Sequence, residues 1–168
     1  ARFAANQPFA LYYIDLNAFK SYNDKYGFLD GDRMIRLLAS TIVEAVEHTG
    51  LQEQVFVGHE GGDDFVVLSP PEWVEPLVQD IFNTFTERSL PLFHEEDRVR
   101  QSFIARDRDG SSVAVPLTSV AIAVVTSRHA QWSSAEELIR YAARVKAYTK
   151  ELPPPHVAVD PPLAPDPS

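Results

Sequence analysis

Residues that suit metal and phosphate chemistry occur in three short clusters, and the first follows an apolar run. Residues 9–15 predict a buried strand that ends at Asp15, just before a predicted helix. A strand end of this kind can present a carboxylate to a metal, with the backbone carbonyl of Leu16 beside it. Lys20 can reach a phosphate from the same segment. The alternative is that Asp15 or Asn17 only caps the helix.

The second cluster combines amide and carboxylate side chains around a predicted turn. It contains Asn23, Asp24 and Gly27, followed by Gly31 and Asp32. An aspartate can accept hydrogen bonds from the ring N–H and the exocyclic amine of guanine, while an asparagine serves the remaining edge. The alternative is turn chemistry with Asp32 as the N-cap of the next helix.

The third cluster places two acids beside two glycines. A glycine pair at residues 61–62 lies between short strands predicted at residues 55–57 and 65–68, and this pattern predicts a tight hairpin. Asp63 and Asp64 follow the glycines. Adjacent like charges repel, so hydration or a cation must offset them, and glycine lets the backbone approach a phosphate closely. The alternative is a solvated turn.

Strand and helix signals alternate along the chain and predict the scaffold for these clusters. A second hairpin is predicted around a turn at residues 107–110, and a strand rich in β-branched residues over 117–125. The last helix is predicted to begin at Ser133 or Ser134, with Glu137 completing a capping box. Helices mixed with two hairpins predict an α+β domain, a mixed sheet with helices packed on it.

Charge and composition exclude several classes of partner and site. The 168 residues carry a net charge of −9, which argues against a nucleic-acid or anionic-membrane surface because phosphate backbones need Lys and Arg. A nucleotide is still compatible if Mg²⁺ lies between its phosphates and the acids. The absence of cysteine excludes disulfides, thiolate metal sites and a Cys nucleophile. The longest apolar run, residues 120–125, is far short of the roughly 20 residues that span a bilayer.

The chain divides into one domain and a tail. Its length suits a single domain, and we assign residues 1–151 to it. Seven of the 13 prolines fall within residues 153–167. This composition predicts that residues 152–168 form an extended linker or a disordered end.

The order and spacing of the three clusters resemble those of the GGDEF family of diguanylate cyclases. Residues 15–20 (DLNAFK) resemble the family's D-x-D-x-F-K, and residues 23–27 (NDKYG) resemble its N-D-x-[YF]-G. Residues 31–32 (GD) match the following G-D, and residues 61–65 (GGDDF) resemble the signature itself. The resemblance covers roughly residues 9–150. It implies the family's palm-like nucleotide-cyclase fold, with a mainly antiparallel central sheet flanked by helices.

The resemblance also implies a reaction and its machinery. Family members bind GTP with Mg²⁺ or Mn²⁺, and two domains in a homodimer condense two GTP into cyclic di-GMP with release of pyrophosphate. By matching positions, Asp15 and Asp63 are implied metal ligands together with the Leu16 carbonyl. Lys20 and Lys150 are implied phosphate contacts.

The remaining carried-over roles concern the base and the signature. Asn23 and Asp32 are implied to recognise guanine. Gly61 and Gly62 are implied to let the hairpin approach the triphosphate. Asp64 occupies the position of the second signature acid, so that Asp63, Asp64 and Lys20 form the implied catalytic set.

Several departures from the family pattern bear on activity. Asp64 stands where Glu is usual, and a misplacement near 1 Å can cost on the order of 100-fold in rate. Asn17 replaces an acid, His59 stands where an Arg often precedes the signature, and Phe28 stands where His is usual. The product-inhibition motif Arg-x-x-Asp would fall on residues 52–55 and is absent, so feedback through that motif is not expected.

Three hypotheses for function follow. The first is a diguanylate cyclase domain, the second a degenerate module that binds GTP without cyclising it, and the third a dimerisation scaffold without a ligand. The opening segment of the family domain is missing, and we interpret the chain as a fragment of a longer protein. Sensor or phosphodiesterase domains are then expected beside it, with the domain in the cytoplasm and no membrane contact of its own.

Overall fold

The computed structural model describes residues 7–106, 109–128, 132 and 134–163. The strands are, in chain order, β1 (Ala10–Asn17), β2 (Phe56–Gly61), β3 (Asp64–Ser69), β4 (Ser102–Arg106), β5 (Ser112–Pro116), β6 (Ser119–Thr126) and β7 (Val157–Val159). The helices are α1 (Phe19–Tyr26), α2 (Phe28–Thr49), α3 (Val74–Ser89), α4 (Glu95–Arg100) and α5 (Ala135–Glu151). The predicted turn residues Asp107 and Arg108, and the predicted cap Ser133, lie outside the described residues.

Five strands form one sheet with β1 near its middle. The strand order is β2-β3-β1-β6-β7, and β4 and β5 form a separate two-stranded hairpin. The pairs β2–β3, β3–β1 and β1–β6 are antiparallel, while β6–β7 is parallel. The prediction of an α+β domain with a mixed, mainly antiparallel sheet flanked by helices is confirmed.

The alternation of side chains along β1 divides the interior into two layers. Tyr12, Ile14 and Leu16 belong to the larger core, which contains apolar residues of α2 and α3. Phe9 and Leu11 belong to the smaller core, which contains apolar residues of α5. Because successive strand residues point to opposite faces, the next odd-numbered positions of β1 also face α5.

The long helices form because their apolar residues repeat at helical spacing. Met34, Leu38 and Ile42 are spaced by four residues and are fully buried on one face of α2. The helix ends at Gly50, whose φ of 70° gives the left-handed C-cap that glycine adopts without strain. At the start of α5 the Ser134 side chain accepts a hydrogen bond from the backbone N–H of Glu137 at 3.1 Å, as the capping pattern predicted.

The C-terminal segment differs from the sequence prediction. Residues 157–159 form β7, parallel to β6, and are not the extended linker or disordered end that proline content predicted. Asp160 follows the strand, and its two carboxylate oxygens accept hydrogen bonds from the Thr126 backbone N–H and hydroxyl, both at 2.7 Å. The prolines flank a short Val-Ala-Val run, and this run has the free N–H groups that a sheet edge needs.

Candidate functional site

Asp15 lies within β1, two residues before the strand ends at Asn17, on the face that α5 covers. Its side chain is only 2% exposed. Its Oδ2 lies 2.5 Å from Lys150 Nζ and 3.4 Å from Lys146 Nζ. Its Oδ1 is buried without a hydrogen-bond partner among the described residues. A buried carboxylate with one unpaired oxygen can accept a further cation.

Burial dominates the electrostatics of Asp15. Removal from water raises the pKa of this carboxyl group above its ordinary value, Lys150 and Lys146 oppose the rise, and Asp63 adds to it. Burial disfavours the charged form of a carboxyl group, and nearby cations favour it. The ionised form of Asp15 therefore depends on positive charge close by.

Asp63 reaches the same end of β1 from the β2–β3 hairpin. The backbone N–H of Leu16 donates a hydrogen bond to Asp63 Oδ2 at 3.1 Å. The hairpin turns through Gly61 and Gly62, whose φ angles are 119° and 57°, in the region that favours glycine. The turn therefore directs Asp63 back towards β1, and the interpretation of this segment as only a solvated turn is wrong.

Lys146 is a site residue that sequence reasoning missed. Its Nζ forms an ion pair with Asp64 in addition to its contact with Asp15. Burial lowers the pKa of Lys146, but the two carboxylates outweigh burial and leave the pKa raised. Lys146 and Lys150 are four residues apart and therefore lie on one face of α5. That spacing was the available signal in the sequence.

A cavity of about 530 Å³ adjoins this end of the sheet and collects several of the predicted residues. The predicted site residues in its lining are Leu16, Lys20, Asn23, Asp63 and Lys150. Asp15 is not in the lining, but it forms an ion pair with Lys150, which is. The cavity therefore brings together lysines, a carboxylate and an amide from β1, α1, the hairpin and α5.

Besides Asp15, four predicted residues lie outside the lining of this cavity. Gly61, Gly62 and Asp64 belong to the adjacent hairpin, and Asp32 is exposed on the first turns of α2. The structure therefore does not bring Asp32 together with the residues that line the cavity.

Asn23 is held where α1 and α2 cross closely. A Cβ atom added at Gly31 would lie 1.8 Å from Asn23 Oδ1, so a larger residue at this position of α2 would displace the Asn23 side chain. Asn23 Oδ1 is itself buried without a hydrogen-bond partner in the described part of the chain. This amide oxygen is therefore an unused acceptor that a ligand can reach only if the Asn23 side chain turns away from Gly31.

The capping alternatives for these polar residues are wrong. The N-cap of α1 is Ala18, in a left-handed conformation with φ 58°, and no side chain caps the helix. The N-cap of α2 is Gly27, so Asp32 lies within the helix and does not start it. The side chains of Asp15, Asn17 and Asp32 thus have no capping role.

The donors present suit a hard divalent cation. The described residues contain no group of three or more His, Cys, Asp or Glu side chains that could hold a metal. Two carboxylates, Asp15 and Asp63, do meet at the end of β1, and one of them has an unpaired buried oxygen. Mg²⁺ is commonly bound by one or two carboxylates together with phosphate oxygens of a substrate. The residues fit such an ion when a nucleotide supplies the other ligands.

A second cavity, of about 490 Å³, shares Ala18 and Lys150 with the first. Its lining is mainly apolar and includes Phe82, Phe85 and Phe93. Lys150 is the only predicted site residue in it, and neither Asp15 nor Asp63 contributes. The chemistry therefore belongs to the first cavity.

Comparison with known families shows to which family this chain belongs. Residues 1–100 match the family described as diguanylate cyclase, GGDEF domain. The chain belongs to the GGDEF family. Within this GGDEF domain, the matched segment contains β1, α1, α2 and the GGDDF hairpin.

Solved structures agree with the fold of this GGDEF domain. The GGDEF domain of DgcB from Caulobacter crescentus, solved in complex with c-di-GMP, aligns over 95% of this chain and 81% of that chain, with a TM-score of 0.61 and 18% identity. The active GGEEF domain of a diguanylate cyclase from Vibrio cholerae aligns over 89% and 80%, with a TM-score of 0.57 and 18% identity. At these identities the likeness shows the fold alone.

Curated relatives are much longer proteins. A 66-residue stretch is 39% identical to the cyclic di-GMP phosphodiesterase PdeR of Escherichia coli, covering 39% of this chain and 9% of that protein. A 62-residue stretch is 32% identical to the diguanylate cyclase DgcP of Pseudomonas aeruginosa, covering 37% and 8%. The chain thus matches less than a tenth of either protein. Among the described residues, no helix is both long and apolar enough to cross a membrane.

Proposed function

We propose that this GGDEF domain binds GTP with Mg²⁺ or Mn²⁺ and, when two copies pair, condenses two GTP into cyclic di-GMP. The observation that carries the proposal is the meeting of Asp15 and Asp63 with Lys146 and Lys150 beside a cavity that also contains Asn23. Membership of the GGDEF family supports the same conclusion. Phosphoryl transfer depends mainly on positioning and charge neutralisation, and these residues suit both tasks.

The proposed metal ligands are Asp15, Asp63 and the Leu16 carbonyl. A divalent cation bound there supplies charge neutralisation at the phosphates and a lower pKa for the attacking ribose hydroxyl. Burial of Asp15 leaves its carboxylate with few water molecules, so a cation gains a strong electrostatic partner. Asp64 occupies the second acid position of the signature and is held by Lys146.

Lysines and amides position the nucleotide in this proposal. Lys20 and Lys150 line the cavity and contact the phosphates as point charges. Lys150 now pairs with Asp15 at 2.5 Å, so it is near enough to exchange the carboxylate for a phosphate oxygen. Asn23, which lines the cavity, and Asp32 read the guanine edge.

The glycine hairpin and a second copy of the domain complete the proposed site. Gly61 and Gly62 are exposed and carry no side chain, so a triphosphate can approach their backbone closely. The reaction needs two bound GTP molecules facing each other across a two-fold axis, so activity requires a homodimer. Because GTP is the substrate, we place the domain in the cytoplasm, beside sensor or phosphodiesterase domains of a longer protein.

The test is product formation at high protein concentration. The domain is incubated with GTP and Mg²⁺ or Mn²⁺, and the nucleotides are separated by chromatography, with Asp63→Ala as the control. We expect cyclic di-GMP from the parent and none from the variant. Absence of product from the parent at concentrations where light scattering shows a dimer would refute the cyclase proposal.

A second candidate function is a GTP-binding module that regulates a neighbouring domain without cyclising GTP. The ion pair between Asp64 and Lys146 favours it, because the shorter signature acid is already neutralised. This candidate predicts no product but a rise in melting temperature with GTP that Asp63→Ala lacks. A dimerisation scaffold without a ligand predicts neither product nor shift.

A further inference from the structure

Phe28 is exposed to an unusual degree for an aromatic side chain beside a polar site. It is the first residue of α2 and is 79% exposed. Its neighbour Leu29 is 81% exposed, but only Phe28 lines the cavity that contains Lys20 and Asn23. Phe19 also lines the cavity but is partly buried in the core, so Phe28 is the exposed aromatic group at its solvent edge.

The backbone ties Phe28 to Asn23. The N–H of Gly27 donates to the carbonyl of Asn23 at 2.8 Å, and the N–H of Gly31 donates to the carbonyl of Gly27 at 3.1 Å. Gly27 has a φ of 88°, which lets α1 end and α2 begin without an intervening loop. One short turn therefore connects the Asn23 amide and the Phe28 ring, and both line the same cavity.

We propose that Phe28 stacks on the guanine base of GTP and holds it in the plane in which Asn23 can read its edge. This inference rests on the proposed function. A nucleobase has polar edges and apolar faces, so a base whose edge is hydrogen-bonded inside the cavity still needs an apolar cover for its face. Stacking on aromatic side chains provides that cover and is tolerant of base identity. In this chain Phe28 supplies binding strength while Asn23 supplies selectivity.

The division of labour between the two residues leads to a clear test. Loss of the Phe28 ring should weaken the binding of guanine and adenine nucleotides alike. It should leave the binding of a ligand without a base unchanged. Loss of the Asn23 amide should weaken the guanine nucleotide more than the adenine nucleotide. If Phe28 had only a structural role, its replacement would weaken the binding of guanine nucleotides, adenine nucleotides and base-free ligands to the same extent.

The experiment compares three probes by calorimetry at a concentration where light scattering shows a monomer. The probes are the α,β-methylene analogues of GTP and ATP, which cannot release pyrophosphate, and inorganic tripolyphosphate, each with Mg²⁺. The variants are Phe28→Leu, which keeps apolar bulk without an aromatic face, and Leu29→Ala as the exposed neighbour outside the cavity. For Phe28→Leu we expect roughly 10-fold weaker binding of both nucleotide analogues and unchanged binding of tripolyphosphate, while Leu29→Ala binds all three as the parent does.

The outcomes separate this inference from the function on which it rests. Two outcomes would overturn stacking and leave the proposed function standing. In the first, the parent and Phe28→Leu bind the GTP analogue equally well. In the second, Phe28→Leu loses as much affinity for tripolyphosphate as for the GTP analogue. If the parent binds none of the three probes, the proposed function itself fails.

A spectroscopic variant tests the contact directly. In Phe28→Trp, the GTP analogue should quench the added indole fluorescence and tripolyphosphate should not, after subtraction of the signal that Trp73 and Trp132 give in the parent. Binding of the GTP analogue without any change in the added emission would overturn the stacking contact.

Discussion

At the residue scale, Asp64 is the signature side chain that departs from the family pattern. It is one methylene shorter than the usual signature acid and forms an ion pair with Lys146. We predict that Asp64→Glu raises the initial rate of cyclic di-GMP formation by on the order of 10- to 100-fold, because the carboxylate regains about 1 Å of reach. Asp64→Asn, which keeps the size and loses the charge, should be slower than the parent. A Glu variant no faster than the parent would show that reach at this position does not limit the rate.

At the element scale, the crossing of α1 and α2 depends on the absence of a side chain at Gly31. Alanine within a helix usually stabilises by about 0.5–1 kcal/mol relative to glycine, but here the new Cβ would lie 1.8 Å from Asn23 Oδ1. We predict that Gly31→Ala lowers the free energy of unfolding by about 1–3 kcal/mol, measured by urea denaturation. Ser40→Ala, on an exposed position of the same helix, should stay within about 0.5 kcal/mol of the parent.

The double variant provides the decisive control for this crossing. If the clash with the amide is the cause, Gly31→Ala combined with Asn23→Ala should recover most of the lost stability, because the neighbouring atoms are gone. If Gly31→Ala and the double variant are equally destabilised, the clash with the Asn23 amide is not the cause of the lost stability.

The hydrogen bond and ion pair that join Asp97 of α4 to α1 make a pH-dependent contribution to stability. The Asp97 side chain is 1% exposed, and burial raises the pKa of its carboxyl group. The hydrogen bond from the Tyr26 hydroxyl and the charges of Arg100 and Lys25 outweigh burial, so the pKa of Asp97 is lowered. A carboxyl group with a lowered pKa in the folded state stabilises the fold above its unfolded pKa, and this stability is lost as pH falls through the folded value. We predict that Asp97→Asn destabilises the domain more at pH 7 than at pH 3, as measured by thermal unfolding.

A matched variant on α4 distinguishes this network from a general effect of charge. Glu95→Gln removes one negative charge from an exposed position two residues earlier and should leave the pH dependence close to that of the parent. If Asp97→Asn has the same effect at both pH values, the buried network does not cause the acid sensitivity.

At the scale of the whole molecule, β7 closes one edge of the sheet and Asp160 anchors it. The Asp160 carboxylate accepts two hydrogen bonds from Thr126, and its φ of 44° is accommodated better by Asp than by Ala. We predict that Asp160→Ala lowers the free energy of unfolding by about 1–3 kcal/mol and speeds hydrogen exchange in residues 157–159. Glu151→Ala, exposed at the end of α5, is the control. Unchanged exchange would mean that β7 pairs with β6 independently of this anchor.

Much of the fold and part of the site were accessible from the sequence because they depend on local patterns. Helical periodicity, the capping box at Ser134 and the glycine pair at residues 61–62 act over a few residues, and all three predicted the elements that form. The placement of Asp15 near a strand end was local as well, although β1 continues to Asn17, and so was that of Asp63 in a hairpin turn. The family followed from the spacing of those same segments.

Only the tertiary structure decided which distant groups meet. The ion pair of Lys146 with Asp64 joins residues 82 positions apart, and it exists because α5 packs on the face of the sheet to which Asp15 points. Strand β7 contradicted the prediction made from the composition of its segment. It forms because an edge of β6 was available to pair with three residues that lie between prolines. Sequence patterns determined the elements and the chemical groups they carry. Packing determined the neighbours of those groups, since burial and ion pairing depend on side chains that the chain brings together only on folding.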